Sequence, residues 1–181
     1  MDFGLLLIRV IIGLLLIGHG TQKLFGWFGG GGLAGTSSYF RTLGYWPPRL
    51  MAGMAGGAEL FAGVSLTFGF VTPLGVAALI GVMLNVAIAA HRGNGLWVAG
   101  NGYEYPLVLA TVAAAIGFTG PGAVSLDARL GVGDPTLESA LFAVGLGLVT
   151  GAAILFSRVA ARSIEEPVPE NTENAIENVA A

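Results

Sequence analysis

A small set of ionisable and amide side chains lies in or beside otherwise apolar stretches of the sequence, and it carries the chemistry open to this chain. His19, Gln22 and Lys23, in "GHGTQK", are related by i, i+3 and i+4, so one face of a helix presents all three. The other members lie far apart in the chain: Glu59, Asn85, His91, Tyr103 and Glu104. Carboxylate, ammonium and imidazole groups can move protons or bind a polar headgroup. Inside hydrocarbon each costs a few kcal/mol, so each needs a partner or a cavity.

The depth of these side chains along their spans indicates that they meet. Counting ~1.5 Å per residue from the outer end of each span places the polar side chains in the inner half of the membrane, except Arg9. We therefore predict a wet, inward-facing cavity for a ligand or for protons, with no assigned catalytic residue and no metal site. Its predicted lining is His19, Gln22, Lys23, Glu59, Asn85, His91, Tyr103 and Glu104.

Glu59 is the deepest carboxylate, and two roles remain open for it. One is a structural ion pair with a cation of the first span, for which Arg9 is a candidate and Lys23 another. The other is handling a proton or a ligand. The two histidines also keep two interpretations: His19 either acts in the site or packs between helices, and His91 lines the cavity or marks the membrane interface.

The composition of the chain is that of an integral membrane protein. Hydrophobic residues make up 54% of the 181 residues and charged residues 10%, whereas a soluble domain carries about a quarter charged residues. The net charge of −3 gives no sign of a nucleic-acid partner. There is no cysteine, which excludes disulfides, thiolate metal sites and thiol redox chemistry within the chain.

Five apolar stretches predict an all-α membrane protein. A helix needs ~20 residues to cross ~30 Å of hydrocarbon, and only the third and fourth stretches are short. Thr72-Pro73 separates the second stretch from the third, so these two form a tight helical hairpin, and the other connections are expected to be loops. The stretches are 3–25, 50–71, 74–90, 105–119 and 137–156.

The basic residues predict the orientation. With the N-terminus outside, one cation, Arg129, lies in an outer loop, Arg9 lies within a span, and all the others are on the cytoplasmic side. The C-terminal residues 163–181 then form a disordered acidic tail in the cytoplasm, either solvating or serving as a docking segment.

Small residues predict where helices approach closely. Gly53-x3-Gly57 and Gly147-x3-Gly151 each place two glycines on one helix face, which suits a packing seam or a contact between copies of the chain. The run 29–32 lacks the Lys-Ser or Lys-Thr of a phosphate-binding loop, so we expect a flexible connection there.

Several motifs in order resemble the DoxX family of small bacterial membrane proteins. They are "GHGTQKLFG", "GGAELFAGVSLTFGF", "NGYEYPLVL" and "TGPGAVSLD", and the resemblance covers about residues 3–130. It implies a four-helix transmembrane bundle over that range in a bacterial cell membrane. The matching polar positions are His19, Lys23, Glu59, His91, Tyr103, Glu104 and Asp127. The segment 137–156 departs from the pattern as a fifth, C-terminal span.

The resemblance implies two classes of function, because the DoxX name is shared with subunits associated with thiosulfate:quinone oxidoreductase. In the first, the chain is a subunit of a membrane redox complex whose cavity takes a quinone headgroup or protons while a partner protein supplies electrons. In the second, it is a non-catalytic scaffold that recruits oxidative-stress or sulfur-transfer enzymes. No covalent cofactor is expected, two histidines give little support for haem, and transport is less favoured because no inverted repeat is visible.

The orientation can be tested with protease. In right-side-out vesicles the tail 163–181 should be protected, because a cytoplasmic tail lies inside the vesicle. Cleavage of the tail from outside would overturn the five-span arrangement, whereas cleavage only after permeabilisation supports it.

Overall fold

The computed structural model describes residues 2–132 and 135–164, and all regular structure in that part of the chain is helical. The α-helices are α1 (Asp2–Phe25), α2 (Gly32–Thr42), α3 (Pro48–Phe68), α4 (Thr72–Asn85), α5 (Glu104–Thr119), α6 (Leu126–Arg129) and α7 (Leu137–Ile164). A π-helical turn, Val86–His91, extends α4. The predicted all-α membrane bundle is confirmed.

Four of the helical segments are long and apolar enough to cross a membrane. They are Asp2–Phe25, Pro48–Phe68, Thr72–Asn94 and Leu137–Arg158, and the shorter apolar helix α5 has 16 residues. Their outward faces are apolar: Phe3 is 82% exposed and Phe156 is 75% exposed. Large apolar side chains that face outward all around a bundle suit hydrocarbon rather than water.

The helices pack around one apolar core. α1 packs mainly on α3, α4 contacts α3, α5 and α7, and α7 also contacts α5. The core includes Leu16 of α1, Leu66 of α3, Leu79 of α4 and Ile116 of α5, all of them buried. The fifth apolar segment is therefore a member of the bundle, seated against α4.

Glycines set the closest helix contacts, and only one of the two predicted seams is in the expected place. A Cβ on Gly147 would lie 2.7 Å from the carbonyl oxygen of Ala77, so α7 touches the backbone of α4 as predicted. In the other predicted seam, Gly57 has nothing within 4 Å and Gly53 meets only a leucine methyl at 3.9 Å. The motif fixes a spacing but does not tell which face of the helix meets its neighbour.

The seam between α1 and α3 uses other glycines of the same helix. A Cβ on Gly63 would lie 2.7 Å from the carbonyl oxygen of Gly13, and one on Gly20 would lie 2.8 Å from that of Gly56. Backbone contact at two levels brings the polar end of α1 next to α3. This contact positions the ion pair described below.

The connection between α1 and α3 was expected to be a loop, but it contains the 11-residue helix α2. Its glycine-rich start hides it in the sequence, because runs of glycine are typical of loops. Gly29, before α2, and Gly32, its first residue, adopt positive φ angles of 79° and 60°. α2 has no buried residue and packs against α1 and α3. The predicted tail, 163–181, lies outside the described residues apart from its first two, which continue α7.

Adding one methyl group should distinguish the α1–α3 seam at Gly63 from the seam predicted at Gly53 and Gly57. Gly63→Ala places a Cβ against a backbone oxygen that cannot move aside, so it should lower the free energy of unfolding by about 1–3 kcal/mol. Gly57→Ala, in the same helix, enters open space and is the matched control. Thermal unfolding of both purified variants in detergent measures the difference, and equal midpoints would contradict the assigned seam.

Candidate functional site

A cavity of about 710 Å³ lies between α2, α3, α4 and α7, next to the end of α1. Small-molecule sites in proteins typically measure ~300–1,000 Å³ and are mostly apolar with a few placed polar groups. This cavity has that character. Its side chains with polar groups are Gln22, Lys23, Thr36, Tyr39, Tyr45, Glu59, Asn85, His91 and Thr150.

An ion pair lies in the cavity wall. The Nζ atom of Lys23 is 2.7 Å from Oε1 and 2.6 Å from Oε2 of Glu59. The Glu59 side chain is 3% exposed, whereas that of Lys23 is 26% exposed. A Cβ on Gly56 would lie 3.2 Å from the Cβ of Lys23, so the glycine lets the lysine lie close to α3, one turn before the carboxylate. Removing either charge would leave the other uncompensated in a low-dielectric site, and such a change typically lowers the free energy of unfolding by ~3–5 kcal/mol.

Asn85 ties three elements together beside the cavity. Its Nδ2 group donates to the carbonyl oxygens of Gly81 at 2.9 Å and of Gly151, on α7, at 3.0 Å. The hydroxyl of Tyr45 donates to Oδ1 of Asn85 at 2.8 Å. Burial raises the pKa of Tyr45, against an opposing effect of the Arg158 charge, so the hydroxyl remains a hydrogen-bond donor at neutral pH. Sequence reasoning missed Tyr45, whose sequence position in a connection gave no sign of its burial.

Two further cavity residues take part in local turns. Gln22 donates through Nε2 to the carbonyl oxygen of Phe28 at 3.3 Å, which braces the turn after α1. The Nδ1 atom of His91 is 2.7 Å from the carbonyl oxygen of Asn101. His91 ends the π-helical turn that follows Asn85, and such turns occur frequently at functional sites.

The structure brings five of the eight predicted cavity residues together and leaves three elsewhere. His19 faces Tyr105, with 3.5 Å between Nε2 and the hydroxyl oxygen and 6.3 Å between ring centroids. Glu104 accepts a hydrogen bond from the backbone N–H of Val98 at 2.8 Å, at the start of α5. Tyr103 immediately precedes that helix. These three side chains were expected in the lining and are not part of it, because shared depth does not fix the direction in which a helix faces.

The proposed pairing of Arg9 with Glu59 does not form. Arg9 is 1% exposed and donates from Nε to the carbonyl oxygen of Leu66 at 3.0 Å and from Nη2 to that of Val124 at 3.0 Å. It also donates to the carbonyl oxygen of Pro121. Arg9 precedes Lys23 by 14 residues, or ~21 Å of helix, and Lys23 is the cation at the level of the carboxylate.

Asp127 completes the structural cluster around Arg9, at the opposite end of α3 from the cavity. Its carboxylate accepts the backbone N–H groups of Val71 at 2.8 Å and Thr72 at 2.9 Å, and its own N–H donates to the carbonyl oxygen of Gly69 at 2.8 Å. The turn between α3 and α4 is thereby attached to the segment that follows α5. This position, singled out by the family resemblance, has a structural explanation.

These features define a class, the multi-pass helical membrane proteins that hold a charged pair beside a largely apolar cavity. The DoxX family model matches residues 4–92. The chain is also 30% identical over 126 residues, 70% of its length and 86% of the relative's, to the Bacillus subtilis (strain 168) protein named "Putative oxidoreductase CatD". The chain belongs to the DoxX family. No solved structure matches it.

The role of Asp127 can be tested by a near-isosteric change. Asp127→Asn replaces one accepting oxygen with an NH₂ group that faces a backbone N–H, so the free energy of unfolding should fall by about 1–3 kcal/mol. Glu138→Gln, at an exposed position in the first turn of α7, is the control. Thermal unfolding in detergent measures both variants. A loss for Asp127→Asn no larger than that of the control would contradict the structural role.

Proposed function

We propose that this protein is a subunit of a membrane redox complex and that its cavity binds a quinone headgroup beside Lys23 and Glu59. The observation that carries the proposal is the ion pair in the wall of a cavity that is otherwise mostly apolar. A quinone has an apolar body and two carbonyl oxygens, so it suits a site with few polar groups. The name of the Bacillus subtilis relative supports a redox role.

Lys23 can bind the oxidised form and Glu59 the reduced form. The ammonium group of Lys23 carries three donors, and its two described hydrogen bonds both go to Glu59, so it can also donate to a quinone carbonyl. A quinol hydroxyl donates to a carboxylate. Two electrons from a partner redox protein and two protons convert the quinone to the quinol, and Glu59 is placed to exchange one of those protons.

The test is to remove the charges without leaving one of them unpaired. The double variant Lys23→Met with Glu59→Gln keeps the side-chain volumes similar and removes both ions, so it should retain the fold. We expect it to bind ubiquinone-2 about 10- to 100-fold more weakly, because charge-assisted hydrogen bonds to the headgroup are lost. Native mass spectrometry of the 1:1 complex measures the binding, and Glu138→Gln is the control with a neutralised carboxylate outside the cavity.

Activity in the membrane provides a second measurement. In a strain whose quinone reduction depends on this protein, the double variant should not restore the reduction and the Glu138→Gln variant should. Unchanged ubiquinone-2 binding and full restoration by the double variant would refute the quinone site. Co-purification of soluble enzymes with that fully active variant would then favour the scaffold.

A further inference from the structure

Part of the cavity wall, next to α4, is supplied by α7. Thr150, Gly151 and Ile154 line the cavity from this helix. A Cβ on Gly151 would lie 2.9 Å from the carbonyl oxygen of Gly81, so α7 is seated in backbone contact with α4 at this level. The wall is thus fixed closely against the helix that carries Asn85.

Contacts at both ends of the Ile154 turn hold α7 in place. On one side, the carbonyl oxygen of Gly151 accepts the amide of Asn85 at 3.0 Å. On the other, Arg158 donates to the carbonyl oxygen of Leu43 and lies 5.7 Å from the centroid of the Tyr45 ring. Ile154 lies between these two attachments, and its aliphatic side chain takes part in neither of them. Its contribution to the site is therefore its volume.

The level of Ile154 in the membrane differs from that of the ion pair. Glu59 and Gly81 are each about ten residues from the turn between α3 and α4, so they lie at a similar height, and Gly151 lies at the height of Gly81. Ile154 is three residues further along α7, ~4.5 Å toward the connection that carries Tyr45. The cavity lined by Lys23 and Glu59 thus continues to Ile154, so an apolar tail that runs from the ion pair toward this end of the cavity passes that side chain.

We propose that α7 is the specificity-determining wall of this cavity and that Ile154 limits the length of apolar tail that a bound quinone can place inside it. This inference rests on the proposed function, because it takes the headgroup to lie at Lys23 and Glu59. It assigns a role in the site to a helix that lies wholly outside the segment matched by the family model, residues 4–92.

The test compares two ubiquinones with the same headgroup and different tails. Ile154→Trp should weaken the binding of ubiquinone-4 about tenfold and leave the affinity for ubiquinone-1 within about twofold of that of the natural protein. Ile154→Ala should strengthen the binding of ubiquinone-4 several-fold. A few carbon atoms in an apolar pocket have effects of this order. Val149→Trp and Val149→Ala are the matched controls, because Val149 is on the same helix and is 68% exposed on the outer face. Native mass spectrometry of the 1:1 complexes gives the ratio of the two ligands.

A measurement without quinone separates this inference from the proposed function. Lys23 is the only lysine in the sequence, so the rate at which its amine is acylated reports access to the cavity. The two reagents are a small ester, N-hydroxysuccinimidyl acetate, and a bulky ester, N-hydroxysuccinimidyl pyrenebutyrate. Lys23→Arg gives the background from the N-terminus. Ile154→Trp should slow the bulky ester about tenfold relative to the acetate, whereas Val149→Trp should not.

If the quinones bind but residue 154 leaves their ratio unchanged, the specificity wall is refuted and the quinone site stands. If neither quinone binds the natural protein, the proposed function fails, and the acylation rates decide whether α7 still selects by size. Equal effects of the variants at residues 149 and 154 on those rates would overturn the inference.

Discussion

The burial of one carboxylate in a membrane bundle governs much of this structure. Hydrocarbon does not solvate an ion, so Glu59 requires a cation within hydrogen-bond distance, and Lys23 supplies it from the neighbouring helix. The pair forms because glycines allow α1 and α3 to meet at their backbones, at Gly20 and Gly56. The polar end of α1, the path of α3 and the position of the cavity wall therefore depend on one contact.

The two ends of the bundle use charge in different ways. At one end, the guanidinium of Arg9 donates to three backbone carbonyl oxygens and is fully buried, so its hydrogen-bonding capacity serves the fold. At the other end, Lys23 keeps part of its side chain open to a cavity while it pairs with Glu59. A ligand can compete for the second arrangement but not for the first. This difference, rather than the presence of charge, distinguishes a candidate site from a structural cluster.

Hydropathy and charge spacing predicted the apolar helices and the face that presents Gln22 and Lys23, because both follow from periodicity within one segment. The partner of Glu59 could not be chosen in the same way. Depth along a span orders residues by height but says nothing about which way each helix faces. The same limitation led to the prediction that His19 lines the cavity, whereas in the structure this side chain faces Tyr105. Tyr45 was missed because two of its contacts, with Asn85 of α4 and Arg158 of α7, are made with residues 40 or more positions later in the chain.

The chemistry and the shape of the cavity come from different parts of the chain. Lys23, Glu59 and Asn85 all lie in the segment that the family model matches, so the polar wall belongs to the part of the chain shared with the family. Thr150 and Ile154 lie beyond it, on a helix fixed to α4 by glycine contacts and by the amide of Asn85. A change in α7 can therefore alter the volume available to a ligand while the ion pair stays intact. Under the proposed function, sequence differences in this helix would change which ligand fits without changing the groups proposed to bind its polar end.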